Sequence, residues 1–358
     1  MSSTWGNNIK LSIFGGSHTG AIGVVIDNLP PNERIDMKLV REQMARRAPG
    51  RDKTATSRLE ADEPEVLSGL LNGVTTGAPL AAIIKNTNTR SKDYDDLRVH
   101  PRPGHADYTA AVRYDGANDI RGGGHFSGRL TACMVFAGAV CRQILERRGV
   151  VIGAHAYSVG SVKDTPFDPV RVSADDLNGL NRGFFSVIDP AAEAEMREEI
   201  EAARLSADSI GGVIECAAVG APAGIGSPMF GGVENVLASI LYGIPAVKGV
   251  EFGAGFDAAK MRGSENNDPF AYDENGTIRT LTNNCGGILG GITTGMPIVF
   301  RIAVKPTPSI GVEQKTVNLS EKHDDTLVIS GRHDPCIVPR AIPVAEAAAA
   351  IALLDMML

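Results

Sequence analysis

The chain has 358 residues, 43% of them hydrophobic, and a formal net charge of −7. That is enough apolar content for one large domain or two, and too acidic for nucleic acid to be the default partner. No run of about 18 uncharged apolar residues predicts a membrane span, and the start, MSSTWGNNIK, lacks the apolar core of a signal peptide, so a cytoplasmic protein is expected.

Strands are predicted at KLSIF and GVVIDNL, joined by FGGSHTGAIG, a glycine-rich turn that holds Ser17 and His18. Glycines let the backbone approach a ligand, and exposed N–H groups there suit a phosphate. Asp36 reads as the N-cap of a helix to about Arg47, closed by Pro49-Gly50. The stretch ARRAPGRDKTATSRLE then gathers Arg46, Arg47, Arg51, Lys53 and Arg58, whose forks and charges suit carboxylate and phosphate. Between Arg34 and Arg129 there are 16 Lys/Arg against 13 Asp/Glu, so this third is basic within an acidic chain.

GLLNGVTTGAPLAAII, from Gly69, matches GILGGITTGMPIVFRI, from Gly287, without gaps. Each copy reads as a glycine-rich turn followed by a β-rich run. Two copies far apart predict similar α+β halves, around 10–150 and 205–358, in one pseudo-symmetric core rather than a solenoid.

HPRPGHADY, from His100, is a polar loop stiffened by two prolines. RGGGHFSGRL follows, with three glycines expected to run straight into a helix capped by Ser127, spanning about Leu130–Arg148 and ending at Gly149. Its segment LTACMVFAGAV is apolar on every face and should be buried between layers. Asp189-Pro190 opens an amphipathic surface helix to about Leu205. Further strands are expected at GGVIECAAV, VKGVEF and PIVFRIAV, and a last apolar helix at PVAEAAAAIALLDMML. A mixed sheet-and-helix layering follows, with the alanine-rich helices inside.

Gly253, Gly255 and Ala258 match G-x-G-x-x-A, but the polar loop beyond them argues against a dinucleotide βαβ unit. An NAD-linked oxidoreductase remains an alternative on that segment. KPTPSI and GRHDPC each read as polar turns. Five widely spaced cysteines without CxxC read as reduced thiols, and histidine spacing fits a metal poorly. Four histidines in Gly/Pro-rich loops point to proton transfer on a small, multiply anionic, phosphorylated ligand. The residues alone do not name the reaction.

In order, GGSHTG, RRAPGR, SGLLNGVTTGAPL, RPGHADY, RGGGHFSGR, TNNCGGILGGITTG, KPTPSI and GRHDPC resemble the chorismate synthase family over nearly the whole chain. The resemblance implies a single domain, an α+β β-α-β sandwich with helices between two antiparallel sheets, and a homotetramer. It implies anti-1,4-elimination of phosphate from 5-enolpyruvylshikimate 3-phosphate with reduced FMN, the flavin being reduced by NADPH or, as expected here, by an external flavin reductase. A flavin- or nucleotide-binding module without lyase activity is an alternative.

By the same resemblance His18 protonates the leaving phosphate, His105 stabilises reduced flavin, and Asp334 assists loss of the ring hydrogen through the flavin N5. Ser17, Arg47, Lys53, Arg58, Arg102, Arg129 and Arg332 would bind substrate. His125, Phe126, Ser127, Gly290, Lys305, Pro306, Thr307, Pro308, Ser309 and again Arg332 would bind the cofactor. Three positions depart from the family pattern: Gly16-Ser17-His18-Thr19-Gly20 for GESHG, Ala48 within RRRPG, and His125 for the usual arginine. His125 puts a titratable group where a permanent cation is usual, so flavin or substrate affinity is expected to vary with pH near neutrality.

Overall fold

The structure, a computed structural model, describes residues 3–50, 60–87, 96–180, 183–329, 331 and 333–358. Strands β1 (Thr4–Trp5), β2 (Lys10–Gly15) and β3 (Ala21–Asp27) lead into helix α1 (Met37–Arg47). After β4 (Pro64–Ser68) come a tight pair, β5 (Leu70–Leu71) and β6 (Val74–Thr75), and then β7 (Leu80–Lys85). The first sheet is ordered β1-β2-β3-β7-β4 and is antiparallel throughout. Alternate residues Ile22, Val24 and Ile26 of β3 and Leu80, Ala82 and Ile84 of β7 are buried, the period-two signature of a one-sided sheet.

Helices α2 (Asp107–Arg113) and α3 (Thr131–Arg147) precede β8 (Val151–Val159) and β9 (Val162–Lys163). Helices α4 (Ala174–Leu180) and α5 (Pro190–Leu205), strand β10 (Gly212–Val219), helix α6 (Val233–Leu241), strand β11 (Val247–Phe252) and the short α7 (Gly263–Asn266) follow. The remainder is β12 (Phe270–Tyr272), β13 (Ile278–Thr280), β14 (Ile288–Leu289), β15 (Ile292–Thr293), β16 (Ile298–Val304), β17 (Gln314–Asn318), β18 (His323–Leu327) and α8 (Val338–Met357). The second sheet, β11-β16-β10-β8-β9, is also antiparallel.

Helix α3 contacts β3 of the first sheet and β8 of the second, while α8 packs on α3, β8 and β10. Every residue of α3 from Thr131 to Leu145 is buried, as its uniform hydrophobicity predicts. Residues 128–147 are long and apolar enough to cross a bilayer by length and hydropathy alone, and nearly all of this segment lies inside the fold. The two core helices approach so closely that a Cβ added to Gly138 would lie 2.3 Å from the Ala347 Cβ. At the far end of α8, Asp355 accepts the backbone N–H groups of Asn7, Asn8 and Ile9, tying that helix to the first sheet.

Each copy of the internal repeat carries the same succession of elements. The pairs β5–β6 and β14–β15 occupy equivalent repeat positions, as do β7 and β16. Thr75 Oγ1 donates to the Pro30 carbonyl and accepts the Glu33 N–H; Thr293 Oγ1 does the same with Pro222 and Ile225. Each copy is followed by a strand of its own five-stranded sheet.

Asp36 caps α1 by accepting the Lys38 N–H, and Asp189 caps α5 likewise through Ala191. Two expectations, those on Ser127 and on the start of the last helix, need correction. Ser127 caps a 3₁₀ turn at Gly128–Leu130 rather than α3 itself. Helix α8 begins at Val338 and continues through Pro343, which removes only one donor near its start. The GAGFDA segment is a 3₁₀ turn after β11, which pairs antiparallel with β16, so no dinucleotide βαβ unit forms there.

Strand β8 places His155 wholly inside the second half. Its Nδ1 faces Asp164 at 2.7 Å and its Nε2 faces Glu215 at 3.0 Å. Carboxylates accept, so both ring nitrogens must carry hydrogen and the ring is an imidazolium. Burial alone would lower the His155 pKa, but the two carboxylates raise it. Burial would raise Asp164 and Glu215, yet hydrogen bonds led by those from His155 hold both low. The histidine's contribution is thus complete below its ordinary value near ~6.5 and fades as pH climbs through the raised value. The carboxylates' contribution fades at the acid end, as pH falls through their depressed values. His155→Ala, which leaves buried charge unpaired, should cost about 3–5 kcal/mol in urea unfolding at pH 6. The gap from the unmodified protein should narrow at alkaline pH.

Candidate active site

A cleft of about 1120 Å³ opens where three helix ends meet. The C-terminal end of α1 brings Arg47, the N-terminal end of α3 brings Arg129 and Met134, and that of α8 brings Asp334 and Arg340. Loops 102–106 and 305–309, strand β1 and the segment after α6 close the remaining sides.

The turn between β2 and β3 holds Ser17 and His18, both buried. Ser17 Oγ donates its one proton to the Arg121 carbonyl (3.1 Å), so the His18 Nδ1, also 3.1 Å away, is the donor to that oxygen. Against this ring lies the glycine turn. A Cβ on Gly122 would sit 2.1 Å from His18 Cε1, and one on Gly123 would sit 3.1 Å from His105 Nε2. These two glycines have φ of +59° and +89°, so they bend the chain rather than start a helix, correcting the expectation that they run straight into α3. They set two imidazoles on one platform.

His105 stands in the proline-bounded loop before α2, with Nδ1 2.6 Å from Asp107 Oδ1. Arg102 grips the same carboxylate through Nε and Nη2, and its Nη1 donates to Ser309 Oγ. Burial would raise the Asp107 pKa, but hydrogen bonds from Arg102 and His105 hold it far below the usual carboxylate range.

Arg47 and Arg129 converge on Asp62, whose side chain is inaccessible. Glu60 lies 3.4 Å from Arg129, and Asn86 accepts from Arg129 Nε. Burial, with Arg340 and Arg129 nearby, lowers the Arg47 pKa to about 10 against the pull of Asp62. Arg129 Nη2 is buried without a hydrogen-bond partner among the described residues, as is Thr307 Oγ1. Asp334 is held by Arg340, which also donates to the Arg47 carbonyl. Lys305 and Lys248 also line the cleft; burial and then the neighbouring lysine lower the Lys305 pKa.

Not every expected residue lines the cleft. Ser17 lies beneath His18, and Gly290 sits in the exposed β14–β15 turn; neither it nor Pro306 borders the cavity. Lys53, Arg58, Arg332 and Arg51 lie outside the described residues. Arg46 turns into the core to pair with Glu346, which also accepts the Ala154 N–H. His125 is engaged on both nitrogens, by the Gly15 carbonyl and Ser3 Oγ. Phe126 packs edge-on to Tyr114, while Ser127, Thr307, Pro308 and Ser309 all border the cavity. Sequence reasoning missed Asp62, Glu60, Asp107, Lys248 and Arg340. Only Asp107 left a signal, two residues after a histidine at a helix start.

One wall is apolar, built by Trp5, Leu11, Ile13, Met134 and Ile240, and the polar rim is cationic. Shape and charge therefore suit a flat apolar ring with an anionic tail beside a second anion.

A family model described as chorismate synthase matches residues 9–358. The chain is 45% identical over 353 residues to the chorismate synthase of Thermococcus kodakarensis, covering 99% of this chain and 97% of that one. It is 45% identical over 359 residues to that of Dehalococcoides mccartyi strain 195, covering 100% and 97%. A solved crystal structure of chorismate synthase superposes with a TM-score of 0.76 at 26% identity, over 99% of this chain and 92% of that one.

The glycine platform is directly testable. Gly122→Ala forces a methyl into the His18 ring at a positive φ, which should cost about 1–3 kcal/mol in thermal or urea unfolding. It should also shift the His18 imidazole resonances, with those of His155 unchanged.

Proposed function

The chain belongs to the chorismate synthase family, and from that premise we propose how its cleft carries out the family's reaction. The enzyme is a lyase of the shikimate pathway that converts 5-enolpyruvylshikimate 3-phosphate to chorismate and phosphate, a step in aromatic amino acid biosynthesis. The family needs a reduced flavin. The donor set here fits FMN: an apolar wall for the ring, with Lys305, Lys248 and the unpartnered Thr307 hydroxyl beside it for an anionic tail. When bound, the reduced flavin supplies electron density to the allylic system.

The observation that carries the reading is the pair of imidazoles on one glycine turn, beside buried arginines. Arg47 and Arg129 bind the substrate's anionic groups, with Arg129 Nη2 the donor left over from internal pairing. His18, in its protonated form, gives its Nε2 proton to the departing phosphate oxygen; Nδ1 is committed to Ser17. A nearby phosphate dianion favours that protonated form. His105 lines the cleft with Nε2 beside Gly123, where it would stabilise the reduced flavin, and Asp334, anchored by Arg340, lines the cleft as the carboxylate that would assist loss of the ring hydrogen.

We read the two repeat-bearing halves as pseudo-symmetric layers of one β-α-β sandwich domain, supported by the matched Thr75 and Thr293 contacts. A homotetramer is supported by large apolar side chains left exposed on the second half, Phe230, Phe256 and Tyr272 among them. Five free thiols, four of them buried, accord with a reducing cytoplasm.

Under anaerobic conditions with photoreduced FMN, His18→Ala and His105→Ala should each lose about 10²–10⁴ in phosphate release, with FMN affinity within a few fold of unmodified protein. Full activity in either variant would remove that residue's role. Sedimentation equilibrium should return a tetramer mass, and Phe230→Glu should lower it.

A further inference from the structure

We propose that Asp107 is a positioning residue that fixes His105 as its Nδ1–H tautomer and so turns Nε2 into the cleft as the working nitrogen. The proposal rests on the reading of His105 given above and extends it to a residue outside the expected site.

Two atoms compete for His105 Nδ1: Asp107 Oδ1 at 2.6 Å and Arg102 Nη2 at 3.1 Å. If Nδ1 carried a lone pair, Arg102 would donate to it. Nδ1 would then face an ionised oxygen at 2.6 Å, lone pair against lone pair. Asp107 cannot relieve this by donating, because it already accepts from the Arg102 backbone N–H, Nε and Nη2. The contact is therefore Nδ1–H to Oδ1, a charge-assisted bond of the expected length. With Nδ1 committed, Nε2 is the nitrogen that gains or gives a proton at the cavity, where Gly123 leaves room for it.

The carboxylate is well placed to do this. Asp107 begins α2, its side chain is 4% exposed, and Arg102 clamps both oxygens. The carboxylate cannot rotate without breaking several bonds at once, and the ring cannot turn without losing its bond to that carboxylate. Arg102, expected to bind substrate, is thereby largely occupied in holding Asp107.

Asp107→Asn gives a sharp outcome. The amide has one oxygen for two groups of donors. The Oδ2 position faces the Arg102 backbone N–H and Nε, neither of which can stop donating. The amide oxygen takes that position, its NH₂ faces His105, and the imidazole moves its proton to Nε2. Full-length protein with ¹⁵N-labelled histidine, free of ligand and at a pH where His105 is neutral, reads this directly. In unmodified protein the non-protonated nitrogen of His105 should be Nε2; in Asp107→Asn it should be Nδ1. Turnover in the anaerobic assay should fall about 10²–10⁴-fold, with substrate KM and FMN affinity within a few fold. In a His105→Ala background the Asp107→Asn change should add less than twofold.

Neutral His105 protonated on Nε2 in unmodified protein would overturn the proposal, and that spectrum needs no variant to fold. So would undiminished turnover in a folded Asp107→Asn, or a loss of equal size in the His105→Ala background. Should His105→Ala itself remain fully active, the role of His105 falls, while the tautomer measurement still decides whether Asp107 sets it.

Discussion

The close approach of α3 and α8 is the constraint from which the rest follows. At Gly138 there is no room for a methyl group against Ala347. This lets two largely apolar helices pack directly on each other, with α3 touching a strand of each sheet. Both helices turn their N-terminal ends to the cleft, one bringing the glycine turn and Arg129, the other Asp334 and Arg340. Helix α1 packs against both and brings Arg47 by its C-terminal end. The reacting groups lie far apart in sequence, and a rigid core sets their spacing. Interiors packed to crystal-like density deform little, so the site inherits the precision of the helix contact.

Electrostatics works on the same frame. Each cation at the cleft's arginine end has an internal carboxylate: Asp62 for Arg47 and Arg129, Asp107 for Arg102, Asp334 for Arg340. Buried ion pairs of this kind contribute little net stability once desolvation is counted. Their value here is orientation, since donors already fixed need no reorganisation when charge develops on a ligand. Guanidinium groups carry several donors, so one arginine can hold a carboxylate and a second partner together, as Arg102 does with Asp107 and Ser309.

Much of this was legible in the sequence. Asp36 and Asp189 announced their helices, the apolar run from Leu130 announced a buried one, and the repeat from Gly69 and Gly287 marked matching turns, each leading into a strand of its own sheet. Family resemblance pointed to His18, His105 and Arg129, all of which border one cavity. Strand β8 was missed because it is buried on both faces, which hides alternation. The orienting carboxylates were missed for a different reason. Asp62 acts on an arginine 67 positions away, and nothing in its neighbourhood separates it from a solvated acid. His125 borders the cleft, where a cofactor-binding residue is expected, and both its nitrogens also pin the chain near Ser3 and Gly15, which its neighbours in sequence do not announce.

That pinning brings strand β1 onto the rim. Its Trp5 donates from Nε1 to Ser239 Oγ and forms part of the apolar wall. It is the sole tryptophan in the chain. Intrinsic emission of this protein on excitation near the red edge of indole absorption therefore comes from one place, beside the ring-binding surface. A flavin seated there would quench it by energy transfer, so occupancy can be followed optically in unlabelled protein, without a turnover assay.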